Sequence, residues 1–124
     1  MPSTRVAVVD DHEMVRIGLK QIIEAESDFS WVGDSGTGRE ALEMLRTKPC
    51  DVLLLDLSLP DMSGLDVLRR IKSHHESVAT LVLSAYPEKQ YGLNVLRAGA
   101  SGFVSKTAAP DELCRAIRAA VRCV

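Results

Sequence analysis

Much that could give this sequence a specialised role is missing from it. No apolar run approaches the ~20 residues that a bilayer-spanning helix needs. The start, Met1-Pro2-Ser3-Thr4-Arg5, runs straight into a short valine-rich stretch, so a cytoplasmic soluble protein is expected. The three cysteines, Cys50, Cys114 and Cys123, are odd in number and lack CxxC or Cys/His ligand spacing. They read as reduced thiols, either small hydrophobes or surface groups, and not as a disulfide framework. Charge of one sign is also absent: 15 Lys and Arg stand against 17 Asp and Glu, so a nucleic-acid duplex would meet a faintly acidic surface. Nucleic-acid binding by this segment alone is not expected. There is no internal repeat, low-complexity tract or linker composition, so residues 1–124 are read as one domain. The end, Arg122-Cys123-Val124, offers neither the glycine nor the polar stop that usually follows a helix, which suggests an N-terminal piece of a longer chain.

What is present is an apolar content of 46%, enough to bury one core without disulfides or structural metal. Short apolar runs alternate with segments of helical period, the pattern of βα units wound into a parallel sheet with helices on both faces. Strands are expected at 5–9, 30–33, 52–55, 80–83 and 102–104, each short and β-branched or leucine-rich. Phe29 and Trp31 are expected to pack in the core. Helical stripes follow Val15, Leu19, Ile22 and Ile23; Ala41, Met44 and Leu45; Val67, Leu68 and Ile71; and Leu113, Ile117, Ala120 and Val121. A helix over 88–97 is the weakest, because Gly92 and Asn94 lower its propensity.

The chemistry lies at the strand ends. Asp10 and Asp11 follow Val6-Ala7-Val8-Val9, and Asp56 follows Val52-Leu53-Leu54-Leu55. In a doubly wound parallel sheet, carboxyl ends of strands face one crevice. If the first and third strands are neighbours, three carboxylates converge there, each resisting desolvation and opposing the charge of the next. A divalent cation resolves that conflict, and hard oxygen ligands with room for water suit Mg²⁺. Ser84 follows Leu81-Val82-Leu83 and Lys106 follows Phe103-Val104-Ser105, each at or just past the end of its strand run, which adds a hydroxyl and an ammonium. Phosphoryl transfer needs positioning and neutralisation of the equatorial oxygens, and an aspartate can serve as the nucleophile by forming an acyl phosphate. Each residue alone also has a plain structural reading. An acidic pair after a strand often caps a helix, and Asp56-Leu57-Ser58-Leu59-Pro60 could simply leave a strand through a turn. Joint placement at the ends of four strands favours a working site.

Four strings carry a family resemblance: Val8-Val9-Asp10-Asp11-His12, Leu54 through Gly64 with Asp56 near its start, Leu83-Ser84-Ala85, and Gly99 through Lys106. In this order and spacing they resemble the receiver domains of bacterial two-component response regulators, over essentially the whole chain. The resemblance implies a flavodoxin-like α/β fold, a five-stranded doubly wound parallel sheet of order 2-1-3-4-5. It implies that Asp56 takes phosphate from a sensor histidine kinase, with Mg²⁺ (or Mn²⁺) held by Asp11, Asp56 and the Ser58 carbonyl and with help from Asp10. Lys106 would contact the phosphoryl oxygens, with Ala85 beside them. Ser84 and Phe103 would form the switch, altering the surface of the fourth helix and fifth strand. Ser58 and Tyr86 would tune how long the phosphate lasts. Such a domain catalyses its own phosphoryl transfer and slow dephosphorylation, and is not an enzyme acting on a separate substrate.

Two positions depart from the common pattern. Phe103 stands where tyrosine is usual, so a hydrogen bond through that hydroxyl is lost while the packing half of a switch could remain. Thr107 stands where many relatives have a cis-proline, so no slow isomerisation is expected there. The Asp-Asp-His-Glu opening and Lys-Thr ending resemble most the subfamily whose receivers precede a LuxR-type helix-turn-helix. That implies transcription regulation, homodimerisation on phosphorylation, and DNA contact only through an output domain outside this sequence. His12 could tune the acidic pair beside it but as a helix-start residue is expected first to point to solvent, His74-His75 to be a solvated helix end, and Arg115, Arg118 and Arg122 to form a solvated basic stripe, with a dimer or kinase contact as the lesser reading. Two other functions compete. A phosphatase with an aspartate nucleophile would need a second carboxylate where Ser58 stands, and a cap. A flavin or nucleotide binder would need a glycine-rich loop after the first strand.

Overall fold

The computed structural model describes residues 3–84 and 92–122. Five strands and five helices alternate along it. These are β1 (Thr4–Val9), α1 (Glu13–Glu24), β2 (Phe29–Ser35), α2 (Gly38–Thr47) and β3 (Val52–Asp56). They continue as α3 (Gly64–His74), β4 (Ala79–Ser84), α4 (Gly92–Arg97), β5 (Gly102–Ser105) and α5 (Pro110–Arg122). All strand pairs are parallel, in the order β2-β1-β3-β4-β5, as expected.

Every strand extends past its expected apolar run. β3 and β4 take in Asp56 and Ser84 as their last residues, and β2 runs to Ser35. Ladder hydrogen bonds do not require apolar side chains, so hydropathy marks only the buried middle of a strand. β2 also carries a bulge. Val6 pairs with Trp31 but Ala7 with Gly33, leaving Val32 as the extra residue. The expected helix over 88–97 is seen as Gly92–Arg97, and residues 88–91 lie outside the described part.

Side-chain alternation along the strands divides the core in two. Val6, Val8, Val52, Leu54, Leu81 and Leu83 face α1 and α5, meeting Ile23, Leu113 and Ile117. Ala7, Val9, Leu53, Leu55 and Val82 face α2, α3 and α4, meeting Leu45, Leu68 and Val95. The apolar periodicity of the helices thus arises from the same division. Phe29 is buried as expected, while Trp31 is half-buried at the margin of the first cluster, with the Lys20 ammonium 5.9 Å from its ring centre. Cys50 and Cys114 are buried thiols, and burial pushes the Cys50 pKa up to about 12. Cys123 lies outside the described residues.

The amino ends of the strands are closed by ion pairs. Arg5 donates its backbone N–H (2.8 Å), Nε (3.0 Å) and Nη2 (2.9 Å) to the Asp51 carboxylate, joining β1 to the start of β3. Arg118 of α5 grips Asp28 with Nε and Nη2, both at 2.9 Å, reaches Glu26 at 2.7 Å, and lies 4.9 Å from the centre of the Phe29 ring. The solvated basic stripe expected on α5 is therefore broken at Arg118. Its planar fork fits a carboxylate and its face covers a ring, a partnership that no local periodicity reveals.

Candidate functional site

At the opposite, carboxyl end of the sheet, β1 and β3 lie side by side in the register Val9 with Leu55. The next residues are therefore neighbours, and both carboxylates are buried: Asp10 is 0% exposed and Asp56 3%. A strand buried on both faces leaves its final side chain nowhere else to go, which is why acidic residues at these two positions meet. Asp11, one step further into the turn before α1, is exposed.

Lys106 follows β5 and reaches over the sheet end. Its Nζ donates to Asp56 Oδ2 at 2.9 Å and lies 3.1 Å from Asp10 Oδ2. Burial alone would lower the Lys106 pKa, but its contacts with Asp56 and Asp10 outweigh that and hold it above the ordinary lysine value. The other Asp56 oxygen, Oδ1, accepts the Ser58 N–H at 3.0 Å. Asp10 Oδ1 accepts the His12 N–H at 2.8 Å, while its buried Oδ2 accepts no hydrogen bond and has the Lys106 ammonium 3.1 Å away as its ion-pair partner. Two buried carboxylates that share one ammonium keep negative charge that a cation would balance.

One donor atom from each of Asp10, Asp11, His12 and Asp56 lies within 4.8 Å of the others, close enough to hold a metal ion together. Three carboxylates against one ammonium leave an excess of negative charge, and the donor set suits a hard divalent cation. The expected metal residues Asp10, Asp11 and Asp56 are thus brought together, and Ser58 sits in the adjoining loop, exposed. His12 corrects one expectation. Although exposed, its ring does not simply face solvent: Nδ1 lies 3.0 Å from Asp10 Oδ1 and 3.2 Å from Asp11 Oδ1. A ring at the first residue before a helix can fold back over the preceding turn, and the two carboxylates attract it.

Ser84, at the end of β4, pairs with Ser105, and its carbonyl accepts the Lys106 N–H at 2.9 Å, so the hydroxyl and ammonium positions are tied to each other by the backbone. Phe103 on β5 is half-buried against the cluster under α2, α3 and α4. Ala85 and Tyr86, expected beside the phosphoryl group and as a tuner of its lifetime, lie outside the described residues. His74 is exposed at the end of α3, as expected, whereas His75 is half-buried.

Three further residues shape the site in ways not expected from the sequence. Asp61 caps α2 from a distance, accepting the N–H groups of Gly38 (2.8 Å) and Arg39 (3.0 Å), and these amides hold its pKa below the ordinary carboxylate value. This clamps the loop that leaves Asp56. Gly64 closes the same loop. A Cβ there would come within 2.4 Å of Leu57 Cα and 2.6 Å of its carbonyl oxygen, so only glycine permits that approach. Gly64 was part of a recognised string, but the reason for it is visible only in three dimensions. Arg16 adds a third support, donating Nη1 to the Asp10 carbonyl (2.6 Å) and Nε to Asp34 (2.9 Å).

Residues 6–118 match the family described as the response regulator receiver domain. Response regulator UvrY of Escherichia coli (strain K12) is 39% identical over 113 residues, 91% of this chain and 52% of that protein. Transcriptional regulatory protein UhpA of Salmonella typhimurium is 41% identical over 112 residues, 90% of this chain and 56% of that protein. The chain thus spans about half the length of these curated relatives. Among solved structures, the signal receiver domain of the response regulator NarL from Mycobacterium tuberculosis superposes with a TM-score of 0.90 at 29% identity, covering 98% of both chains. The match of residues 6–118 to the family, with the whole-chain superposition on a solved receiver domain, places this chain in the family of response regulator receiver domains.

Proposed function

We propose that Asp56 is the phosphoacceptor of this domain and that a sensor histidine kinase supplies the phosphoryl group. The observation that supports this best is the convergence of buried Asp10, buried Asp56 and Lys106 at adjacent strand ends, with Asp10 Oδ2 lacking a hydrogen bond. In this reading an Asp56 oxygen attacks phosphorus, the bond to the donor nitrogen breaks, and the donor imidazole departs with the electron pair. Lys106 would then move its contact from the Asp56 carboxylate to a phosphoryl oxygen, and Ser84 and Ala85 would contact the phosphoryl group. Asp10, Asp11, Asp56 and the Ser58 carbonyl would hold Mg²⁺, or Mn²⁺ in its place, which supplies charge neutralisation between carboxylate and phosphate. Ser58 and Tyr86 would govern access of the water that later removes the phosphate.

On this reading residues 1–124 form one receiver domain of a longer cytoplasmic regulator. Movement of Ser84 and Phe103 would alter the α4–β5 surface, shift a two-state equilibrium and control homodimerisation or a DNA-binding output that regulates transcription. The test is intact mass spectrometry after incubation with acetyl phosphate and Mg²⁺. One added phosphoryl group is expected, lost in the Asp56→Asn variant and without metal. An adduct that persists in Asp56→Asn would overturn the assignment.

A further inference from the structure

Away from the carboxylate pocket, the face shared by α2 and α3 carries a feature that the proposed reaction leaves unused. Two adjoining hollows of about 470 and 600 Å³ run between these helices and have Leu42, Arg46 and Arg70 in common. Arg39, Leu42, Glu43 and Arg46 recur at helical spacing along one side of α2, as Arg70 and His74 do on α3. The groove therefore has a half-buried leucine in its wall and exposed guanidinium groups from both helices, in a chain whose net charge is −2. Its two carboxylates are already engaged: Glu43 accepts Arg46 Nη1 at 2.7 Å, and Asp61 accepts the N–H groups of Gly38 and Arg39. Among the described residues the Arg70 guanidinium has no hydrogen bond or ion pair. The side chains of the Arg46–Glu43 pair are 70% and 62% exposed, and such a pair contributes little, so Arg46 can exchange its partner at small cost.

We propose that the α2–α3 groove is a docking surface for an acidic, leucine-bearing segment of a partner protein. Arg39 and Arg46 stand seven residues apart, about 10 Å along the helix axis at the α-helical rise. Cations spread over that length do not converge on one small anion, whereas a row of carboxylates along one side of a peptide matches them. An apolar side chain between those carboxylates would cover Leu42, in the way an amphipathic segment lies in a groove. A nucleic-acid backbone fits less well, because Glu43 and Asp61 stand in the walls and the whole chain is acidic. The inference does not depend on Asp56 being the phosphoacceptor, although Asp61 and Met62, at one end of the groove, belong to the loop that leaves Asp56.

The test titrates the full chain into a fluorescently labelled peptide that repeats two glutamates and one leucine, followed by anisotropy, with amide chemical shifts mapped in the complex. Shifts should fall on α2 and α3, and binding should weaken as salt rises. Arg46→Glu and Arg70→Glu should each weaken it by about fivefold, the scale of one exposed ion pair. Arg115→Glu, a charge reversal on α5, should leave it unchanged, and circular dichroism of all three variants checks that the fold is kept. A peptide with glutamine in place of glutamate should lose the difference between wild type and variants. Equal losses in Arg115→Glu, shifts confined to other elements, or no binding at millimolar peptide would each overturn the proposal. A DNA duplex that shifts the same amides and binds more tightly than the peptide would overturn it in favour of nucleic acid. Self-association in sedimentation that Arg70→Glu abolishes would overturn it in favour of a second copy of this chain.

Discussion

The two ends of the sheet use the same residue types to opposite purposes. At the amino end every carboxylate described above is paired with a guanidinium: Asp51 with Arg5, and Asp28 and Glu26 with Arg118. At the carboxyl end Asp10, Asp11 and Asp56 share the Lys106 ammonium and the His12 ring, and one buried oxygen accepts no hydrogen bond. The first arrangement is satisfied by the protein itself. The second keeps more negative than positive charge, which is the feature that marks it as a candidate binding site and the first as a structural charge cluster.

A cation should therefore stabilise through one end alone. With free Mg²⁺ at a hundredfold over its Kd, the wild-type unfolding free energy should rise by about 2.7 kcal/mol, and Asp10→Asn should remove most of this gain without destabilising the metal-free protein; urea titrations with and without Mg²⁺ would show it. Gly64→Ala should come next, costing about 2 kcal/mol because the new methyl meets the Leu57 backbone, and it should slow phosphoryl uptake by displacing the loop. This would show that the carboxyl end depends on close packing even where its charges do not stabilise. Arg118→Ala should lower the thermal midpoint by a few degrees and leave Mg²⁺ affinity unchanged. A change in affinity would mean that the two ends are not independent.

The smallest effect distinguishes the ends by pH. The Arg5 guanidinium holds the Asp51 pKa below the ordinary 3.8, so that pair's contribution is present above this value and is lost as pH falls through the folded pKa. Lys106 is held above 10.5, so its contribution is present below that value and is lost as pH rises through the folded pKa. Arg5→Gln should shrink the acid limb of the stability profile and Lys106→Met the alkaline limb, each sparing the other.

These contrasts were unequally legible in the sequence. The fold follows from the valine and leucine runs, because a parallel sheet covered on both faces needs them, and Asp10, Asp56 and Lys106 follow from standing where those runs stop. Asp61 and Arg118 could not be read this way. Their partners, Gly38 and Asp28, are 23 and 90 residues away, and neither pairing leaves a periodic trace. His12 was legible in part: its exposure follows from the helix start, but its contact with the carboxylates depends on a turn whose shape the sequence does not specify. Ser84 and Asp56 were placed at the strand ends, but hydropathy could not tell whether they close the ladder or follow it.

The pairing of β1 and β3 has a consequence in time as well as in space. Both strands are hydrogen-bonded on two sides, β1 by β2 and β3, and β3 by β1 and β4, so their amides are released to solvent only when the whole molecule opens. The pocket thus hangs from the slowest-opening part of the chain, whereas β5, which pairs with β4 alone among the described strands, can part from the sheet at lower cost. If Asp56 is the phosphoacceptor proposed above, the phosphoryl group would be taken up at the end of a strand held on both sides, while Phe103 stands on β5, which is held on one side among the described strands.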